Sequence, residues 1–348
     1  MSVAGRLTAA WYRASLTPAT ALVTPLSALF GALAATRRGL YRHGVLGAQR
    51  IGVPVVVVGN ITAGGAGKTP LVRALAEALR ARGHRPGIVS RGHGGRIAGP
   101  HLVEEGDTAA DVGDEPLLLA ADATPVAIGR DRVAAARHLV SAYPDVDVIL
   151  ADDGLQHYAL GRDVEIAVVD AARGLGNGWL LPAGPLREPA GRLERVDAIV
   201  LNAAASGAGA QRPDALPAGA APTVPRFAMR HVPQPWRRVV DGADVAAPSA
   251  LPRDAVHAIA GIAHPARFFD TLRGLGLDFV AHPFPDHHRY TPADLDWPGA
   301  QAILMTEKDA VKCRRIGDER MAWLPVRAEI DDALVTLIED RMHGSQAA

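Results

Sequence analysis

The chain has 348 residues, 48% of them hydrophobic and 21% charged, with 37 basic and 37 acidic side chains. That length fits two domains at roughly 100–200 residues each. Zero net charge argues against a nucleic-acid partner, and a lone cysteine, Cys313, excludes an intramolecular disulfide.

The charge is unevenly spread. Residues 1–50 hold Arg6, Arg13, Arg37, Arg38, Arg42 and Arg50 and no Lys, Asp or Glu, so this segment carries +6 and the remainder −6. Within it, residues 14–36 are free of charge. They are long enough to cross a bilayer, which takes about 20 residues, but Pro18 and Pro25 interrupt them and their hydrophobicity is modest. Trp11 and Tyr12 precede the stretch, and Arg37, Arg38, Tyr41 and Arg42 follow it. Aromatic and cationic flanks suit a membrane–water interface. The preferred reading is a pair of helices lying on an anionic leaflet; a membrane span and ordinary packed helices are the alternatives. The length of the apolar stretch argues against a cleaved leader.

Residues 54–60 form a β-branched apolar run that reads as a buried parallel strand. A glycine loop follows at once, Thr62, Ala63, Gly64, Gly65, Ala66, Gly67, Lys68 and Thr69, and then a helical pattern over residues 70–82 with Leu71, Leu75, Ala78 and Leu79 on one face. Strand, glycine loop and helix together describe a nucleotide-phosphate site. Glycines let backbone N–H groups turn toward phosphate oxygens, the helix start adds partial positive charge, Lys68 reaches the β- and γ-phosphates, and the Thr69 hydroxyl is placed for Mg²⁺. The usual pattern G-x-x-x-x-G-K-S/T is broken at its first position, where Thr62 stands.

The next strand, residues 86–89, runs into the loop Ser90 to Arg96, where Arg91 and Arg96 are available to a second anionic ligand. Asp114 and Glu115 open a short helix, as ordinary caps or, near a phosphate site, as a general base and a metal ligand. A further strand, residues 146–151, ends in Asp152 and Asp153, the position where an enzyme using a nucleoside triphosphate needs a carboxylate for Mg²⁺. Residues 196–201 read as another strand. Residues 203–222 are almost wholly Ala, Gly, Ser and Pro, a linker composition. Strands at 255–262 and 302–305 and helices near 265–275 and 331–342 complete the chain. The adjacent His287 and His288 lack metal-ligand spacing. Lys308, Asp309 and Lys312 fit either a charged helix face or a role near the domain junction.

Seven strings occur in order: VVVVGNITAGGAGKTP at 55–70, SRGHGG at 90–95, GDEP at 113–116, DDGLQH at 152–157, LLPAGPLREP at 180–189, FPDHHRY at 284–290 and MTEKDAVKC at 305–313. Together they resemble the tetraacyldisaccharide 4′-kinase family. The resemblance implies an α/β fold of the P-loop NTPase type, a mostly parallel sheet flanked by helices, with a second, smaller α/β domain and N-terminal membrane-associated helices. The corresponding division is 1–50 membrane-associated, 51–203 kinase core, 204–222 linker and 223–348 second domain.

The resemblance further implies transfer of the γ-phosphate of ATP, with Mg²⁺, to the 4′-hydroxyl of a tetraacyldisaccharide 1-phosphate at the cytoplasmic face of the inner membrane. By position it implies that Thr62, Gly64, Gly65, Ala66, Gly67, Lys68 and Thr69 hold the phosphates. Thr69, Glu115, Asp152 and Asp153 would serve the metal, and Arg91 and His93 the lipid. Asp114 would be the catalytic aspartate, paired with either His287 or His288. His93 stands where the family usually has tyrosine, and Leu155 where it has phenylalanine. Two rivals remain open: a membrane-associated nucleotide switch of the ParA/MinD type, disfavoured by Ala63 where those proteins carry lysine, and a P-loop enzyme acting on a soluble acid.

Overall fold

The computed structural model describes residues 8–13, 15–203 and 223–346. The linker expected at 204–222 and Arg6 lie outside them.

The N-terminal part carries the helices α1 (Pro18–Leu22) and α2 (Thr24–Arg42), followed by β1 (Val55–Gly59). From there the pattern alternates: α3 (Lys68–Ala81), β2 (Pro86–Ser90), β3 (His101–Leu102), α4 (Ala109–Val112), α5 (Asp114–Ala120), β4 (Val126–Ile128), α6 (Arg132–Ala142), β5 (Val148–Asp152), β6 (Val164–Asp170) and β7 (Ala198–Asn202). These strands enter a nine-stranded sheet of order β14-β8-β7-β6-β1-β5-β2-β4-β3, where β8 is Arg226–Pro233 and β14 is Val326–Ile330. Pairing is parallel from β8 through β4 and antiparallel at both edges, β14 and β3. Val56 and Val58 of β1 pack with Leu71, Leu75 and Leu79 of α3 on one face, and Val55 and Val57 pack with Leu139 and Leu193 on the other. Both faces are covered, which is why β1 shows no polar alternation. Each fully buried valine contributes roughly 1.5–3 kcal/mol relative to leaving it exposed.

A second sheet has order β11-β10-β12-β13-β9, formed by β9 (Arg237–Arg238), β10 (Val256–Ala260), β11 (Val280–Pro283), β12 (Ala302–Thr306) and β13 (Met321–Leu324). Helices α7 (Pro265–Gly274) and α8 (Glu307–Cys313) belong to this part, and the chain ends in α9 (Asp332–Gln346). The layout differs from a division at residue 223. Strands β8 and β14 pair with each other and join the large sheet, and Ile338 and Met342 of α9 enter its core. The smaller unit is therefore an insertion between two strands of the larger one. Local patterning identifies strands but does not say which sheet they join.

Two local devices fix what the site needs. Val58 of β1 pairs with Asp152 of β5, so the first acid of the DDG string lies beside the phosphate loop. In the smaller unit, Asp309 is fully buried and accepts hydrogen bonds from Gly261 N (3.0 Å), Tyr290 OH (3.0 Å) and Thr306 Oγ1 (2.6 Å), with Lys312 Nζ 2.7 Å away. Tyr290 ends the loop that carries His287, so this buried network anchors the loop. Removing the carboxylate leaves the buried Lys312 ammonium uncompensated. Asp309→Ala is expected to cost about 3–5 kcal/mol of stability, read as a lowered urea midpoint.

Candidate active site

The phosphate loop is built on a buried asparagine. Asn60 Nδ2 donates to Thr62 Oγ1 and Gly64 O, both at 3.3 Å, while Lys68 Nζ donates to Asn60 Oδ1 at 3.2 Å. On the far side, Asn202 Nδ2 donates to Ala66 O at 2.9 Å. Gly67 caps α3 with φ 93°, and a Cβ there would lie 2.2 Å from Asn202 Nδ2. Only glycine fits both the left-handed conformation and the space. Lys68 is the first residue of α3, so the unsatisfied N–H groups of the helix start lie beside the loop.

Thr62 at the irregular first position has a structural reason. It forms an antiparallel bridge with Leu186, flanked by Ala63 N→Pro185 O and Arg187 N→Ile61 O, each 2.7 Å. Here the loop is stapled as extended chain, which does not require a glycine.

Asp152 is buried, and its Oδ1 has no hydrogen-bond partner among the described residues. Burial and the Glu115 charge push its pKa up to about 7 against the pull of Lys68. Asp153 is also pushed up by burial, but Lys68 (3.5 Å) and Arg187 (3.1 Å) outweigh this and hold it below the usual carboxylate range. Among the described residues no three His, Cys, Asp or Glu side chains form a ready-made cage. Mg²⁺ is usually held by one or two carboxylates together with substrate phosphates and water. An orphaned carboxylate oxygen beside a phosphate loop, with Glu115 close enough to raise its pKa, fits that donor set.

Asp114 opens α5 and is buried. His287 Nδ1 lies 3.1 and 3.0 Å from its two oxygens. His287 sits at φ 60°, a left-handed turn that swings its ring toward Asp114. His288 turns elsewhere: its Nε2 is 3.4 Å from Asp294, and its ring packs against Phe284 and Tyr290. Of the two candidates, the structure therefore brings His287 to Asp114. Burial pushes the Asp114 pKa up, but the His287 hydrogen bond and the Lys308 charge outweigh it, so the carboxyl lies below its ordinary value and is ionised at neutral pH. The His93 ring stands edge-on to His287 at 5.4 Å between centroids, and Arg91 is exposed on the same rim.

Lys68, Thr69, Glu115, Asp153 and His287 line one cleft of about 1170 Å³ between the two sheets, whereas Asp114 and Asp152 are buried and are not part of its lining. Its lining also includes Phe30, Leu33 and Arg37 of α2, with Arg37 donating to Gln156 O at 3.1 Å, and Asn202, His231 and Arg267. Two further cations line the cleft: Lys308, for which the sequence left open a charged helix face or a junction role, and Arg132, which the sequence analysis did not single out. Lys308 reaches from α8 to Glu115 at 3.3 Å. Arg132, buried at the start of α6, donates to Gly129 O at 2.6 Å, its Nε has no partner among the described residues, and burial pushes its pKa down to about 10. The signal for Arg132 was available: the string Gly129, Arg130, Asp131, Arg132 follows the carboxyl end of β4, the edge where α/β sheets bind ligands.

Residues 19–343 match the family described as tetraacyldisaccharide-1-P 4′-kinase, LpxK. The chain belongs to the tetraacyldisaccharide 4′-kinase family. It is 51% identical over 343 residues to the tetraacyldisaccharide 4′-kinase of Azoarcus sp. (strain BH72), covering 98% of this chain and 97% of that one. Its identity to the Chromobacterium violaceum protein of the same description is 49% over 329 residues, with 93% and 94% covered. The fold is similar to a crystal structure of LpxK from Aquifex aeolicus described as in complex with ATP, with TM-score 0.76 and 28% identity over 93% of this chain and 99% of that one. This 4′-kinase family membership disfavours the nucleotide-switch and soluble-acid readings.

His231 offers a test of the buried electrostatics. Its Nε2 has no partner among the described residues, and burial, aided by Arg267, pushes its pKa down to about 4. The unfolded chain takes up this proton first, so the contribution to stability is complete above about pH 6.5 and is lost as pH falls toward 4. His231→Leu is expected to show a smaller fall in melting temperature between pH 7.5 and pH 5 than the parent.

Proposed function

We propose that this kinase transfers the γ-phosphate of ATP to the 4′-hydroxyl of tetraacyldisaccharide 1-phosphate, with Asp114 as the general base. The observation that carries the assignment is the buried Asp114 carboxylate held by His287, which lines the same cleft as Lys68 and the phosphate loop. The loop N–H groups and Lys68 hold the phosphates and neutralise charge on the transferred group. Thr69, Asp152 and Glu115 would hold Mg²⁺, whose chemistry is to bridge and neutralise phosphate oxygens. Asp153, already paired with Lys68 and Arg187, keeps Lys68 aligned. Asp114 accepts the proton of the attacking hydroxyl, and the Nδ1–H of His287 holds the carboxylate in place. Arg91 and His93, on the Asp114 side, contact the sugar or its phosphate.

The N-terminal helices supply the lipid surface. Leu22, Leu26, Leu29 and Leu33 recur at helical spacing and are 56–82% exposed, an uncovered apolar stripe ending at Arg37, Arg38 and Arg42. No described helix is long and apolar enough to cross a membrane. A stripe of this kind suits a helix lying in the interface of an anionic leaflet, here the cytoplasmic face of the inner membrane. Leu33 also lines the cleft, so a lipid entering from the surface meets the site directly.

Purified protein with labelled ATP, Mg²⁺ and tetraacyl disaccharide 1-phosphate in detergent is expected to give the 4′-phosphorylated product. Asp114→Asn is expected to lower kcat by about 10²–10⁴-fold. Absence of product from the parent protein would overturn the substrate assignment, and an active Asp114→Asn would overturn the base. Leu26→Glu with Leu29→Glu is expected to reduce cosedimentation with phosphatidylglycerol-containing vesicles while leaving the melting temperature near that of the parent; undiminished binding would remove the helix from the membrane role.

A further inference from the structure

Lys308 is a cation that the smaller unit places among acids of the larger, as Arg267 of α7 is at Asp170. Its side chain is largely buried, and its Nζ lies 3.3 Å from Glu115 Oε1, 3.5 Å from Asp286 Oδ1, 3.5 Å from His287 Nε2 and 3.8 Å from Asp114 Oδ2. Glu115 and Asp114 belong to the large unit, Asp286 and His287 to a loop of the smaller one. Next to it on α8, Glu307 makes a 2.8 Å ion pair with Arg73 of α3, the helix that begins at the phosphate loop. Arg73 is in turn held by Asp122, at 2.7 and 3.0 Å. The first turn of α8 thus grips the large unit at two adjacent points, one on the nucleotide helix and one on the base.

We propose that Lys308 is a positioning residue for the transfer step, completing the Asp114–His287 pair from across the cleft; this rests on the reading of Asp114 as base. His287 Nδ1 faces Asp114, while Nε2 lies 3.5 Å from the Lys308 ammonium, which only donates, and 3.8 Å from Asp286 Oδ2. Lys308 thus favours a bare Nε2 over one that donates to Asp286 and keeps the ring proton on Nδ1, where it holds Asp114. The same ammonium offsets the repulsion among Asp114, Glu115 and Asp286, which would otherwise push the His287 loop away from α5. Lys308 acts through these groups and none of its polar contacts is to the phosphate loop, so its removal loosens the base and leaves the nucleotide held.

The test compares the full-length parent with Lys308→Met, Lys308→Arg, Asp114→Asn and the Lys308→Met/Asp114→Asn double variant, measuring kcat, the KM of ATP and of the lipid, the Mg²⁺ requirement and the melting temperature. Lys308→Met is expected to lower kcat about 10²-fold, the cost of a reacting group displaced by about 1 Å, with the KM of ATP within about threefold of the parent. Lys308→Arg keeps a donor and a charge and is expected to recover about tenfold of that loss. In the double variant, Lys308→Met is expected to add little to Asp114→Asn, because the two residues act as one unit. An unchanged kcat in Lys308→Met would overturn the proposal. So would equal losses in the Met and Arg variants accompanied by a fall in melting temperature, or fully multiplicative losses in the double variant. A raised Mg²⁺ requirement at unchanged kcat would assign Lys308 to Glu115 alone and also overturn it. Full activity in Asp114→Asn would instead remove the base reading on which the proposal stands.

Discussion

The organising constraint is the gathering of like charges. Asp114 and Glu115, Asp152 and Asp153, and Asp286 come from three separate segments, and Glu115, Asp153 and Asp286 line one cleft between two sheets. Like charges brought together out of water are costly, and they stay ionised only where cations answer them. Each cation arrives on a different element: Lys68 at the start of α3, Arg187 on the segment after the DDG strand, Lys308 on α8. Asp152, with an Oδ1 that has no partner among the described residues, is pushed up to about 7. The site is assembled by electrostatic pairing between elements more than by packing, which explains why it straddles the two sheets.

Much of this was legible in the sequence because backbone geometry dictated the residue type. Gly67 is required by a positive φ and a neighbouring amide, and the valines of β1 by burial on both faces. What stayed hidden depended on distance along the chain. Lys308 and Glu115 are 193 positions apart, and nothing local to either announces the other. The choice between His287 and His288 turned on a single left-handed residue. The joining of β8 and β14 to the large sheet was equally unreadable, since their pairing partners lie on the far side of the inserted unit.

The segment 180–188 links the phosphate loop to α2. It bridges the phosphate loop through Leu186, Pro185 and Arg187, and it receives α2 through Arg38–Glu188 (3.2 Å) and the Ala183 N–H on Ser27 Oγ (2.9 Å). Gly31 lets α2 approach closely, since a Cβ there would lie 2.6 Å from Leu180. The helix with the apolar stripe and the loop that holds phosphate are thus braced on one short piece of chain.

The separation of charge between the first fifty residues and the rest makes the molecule an electric dipole. Next to a negatively charged sheet of headgroups, such a body experiences a torque as well as an attraction: the arginine end is drawn in and the acidic bulk is turned outward. A freely tumbling protein would meet the surface in every attitude. On the proposed membrane role, this chain would be weighted like a keeled hull, presenting its arginine-rich end first, and the weighting would fade as added salt shortens the reach of the field.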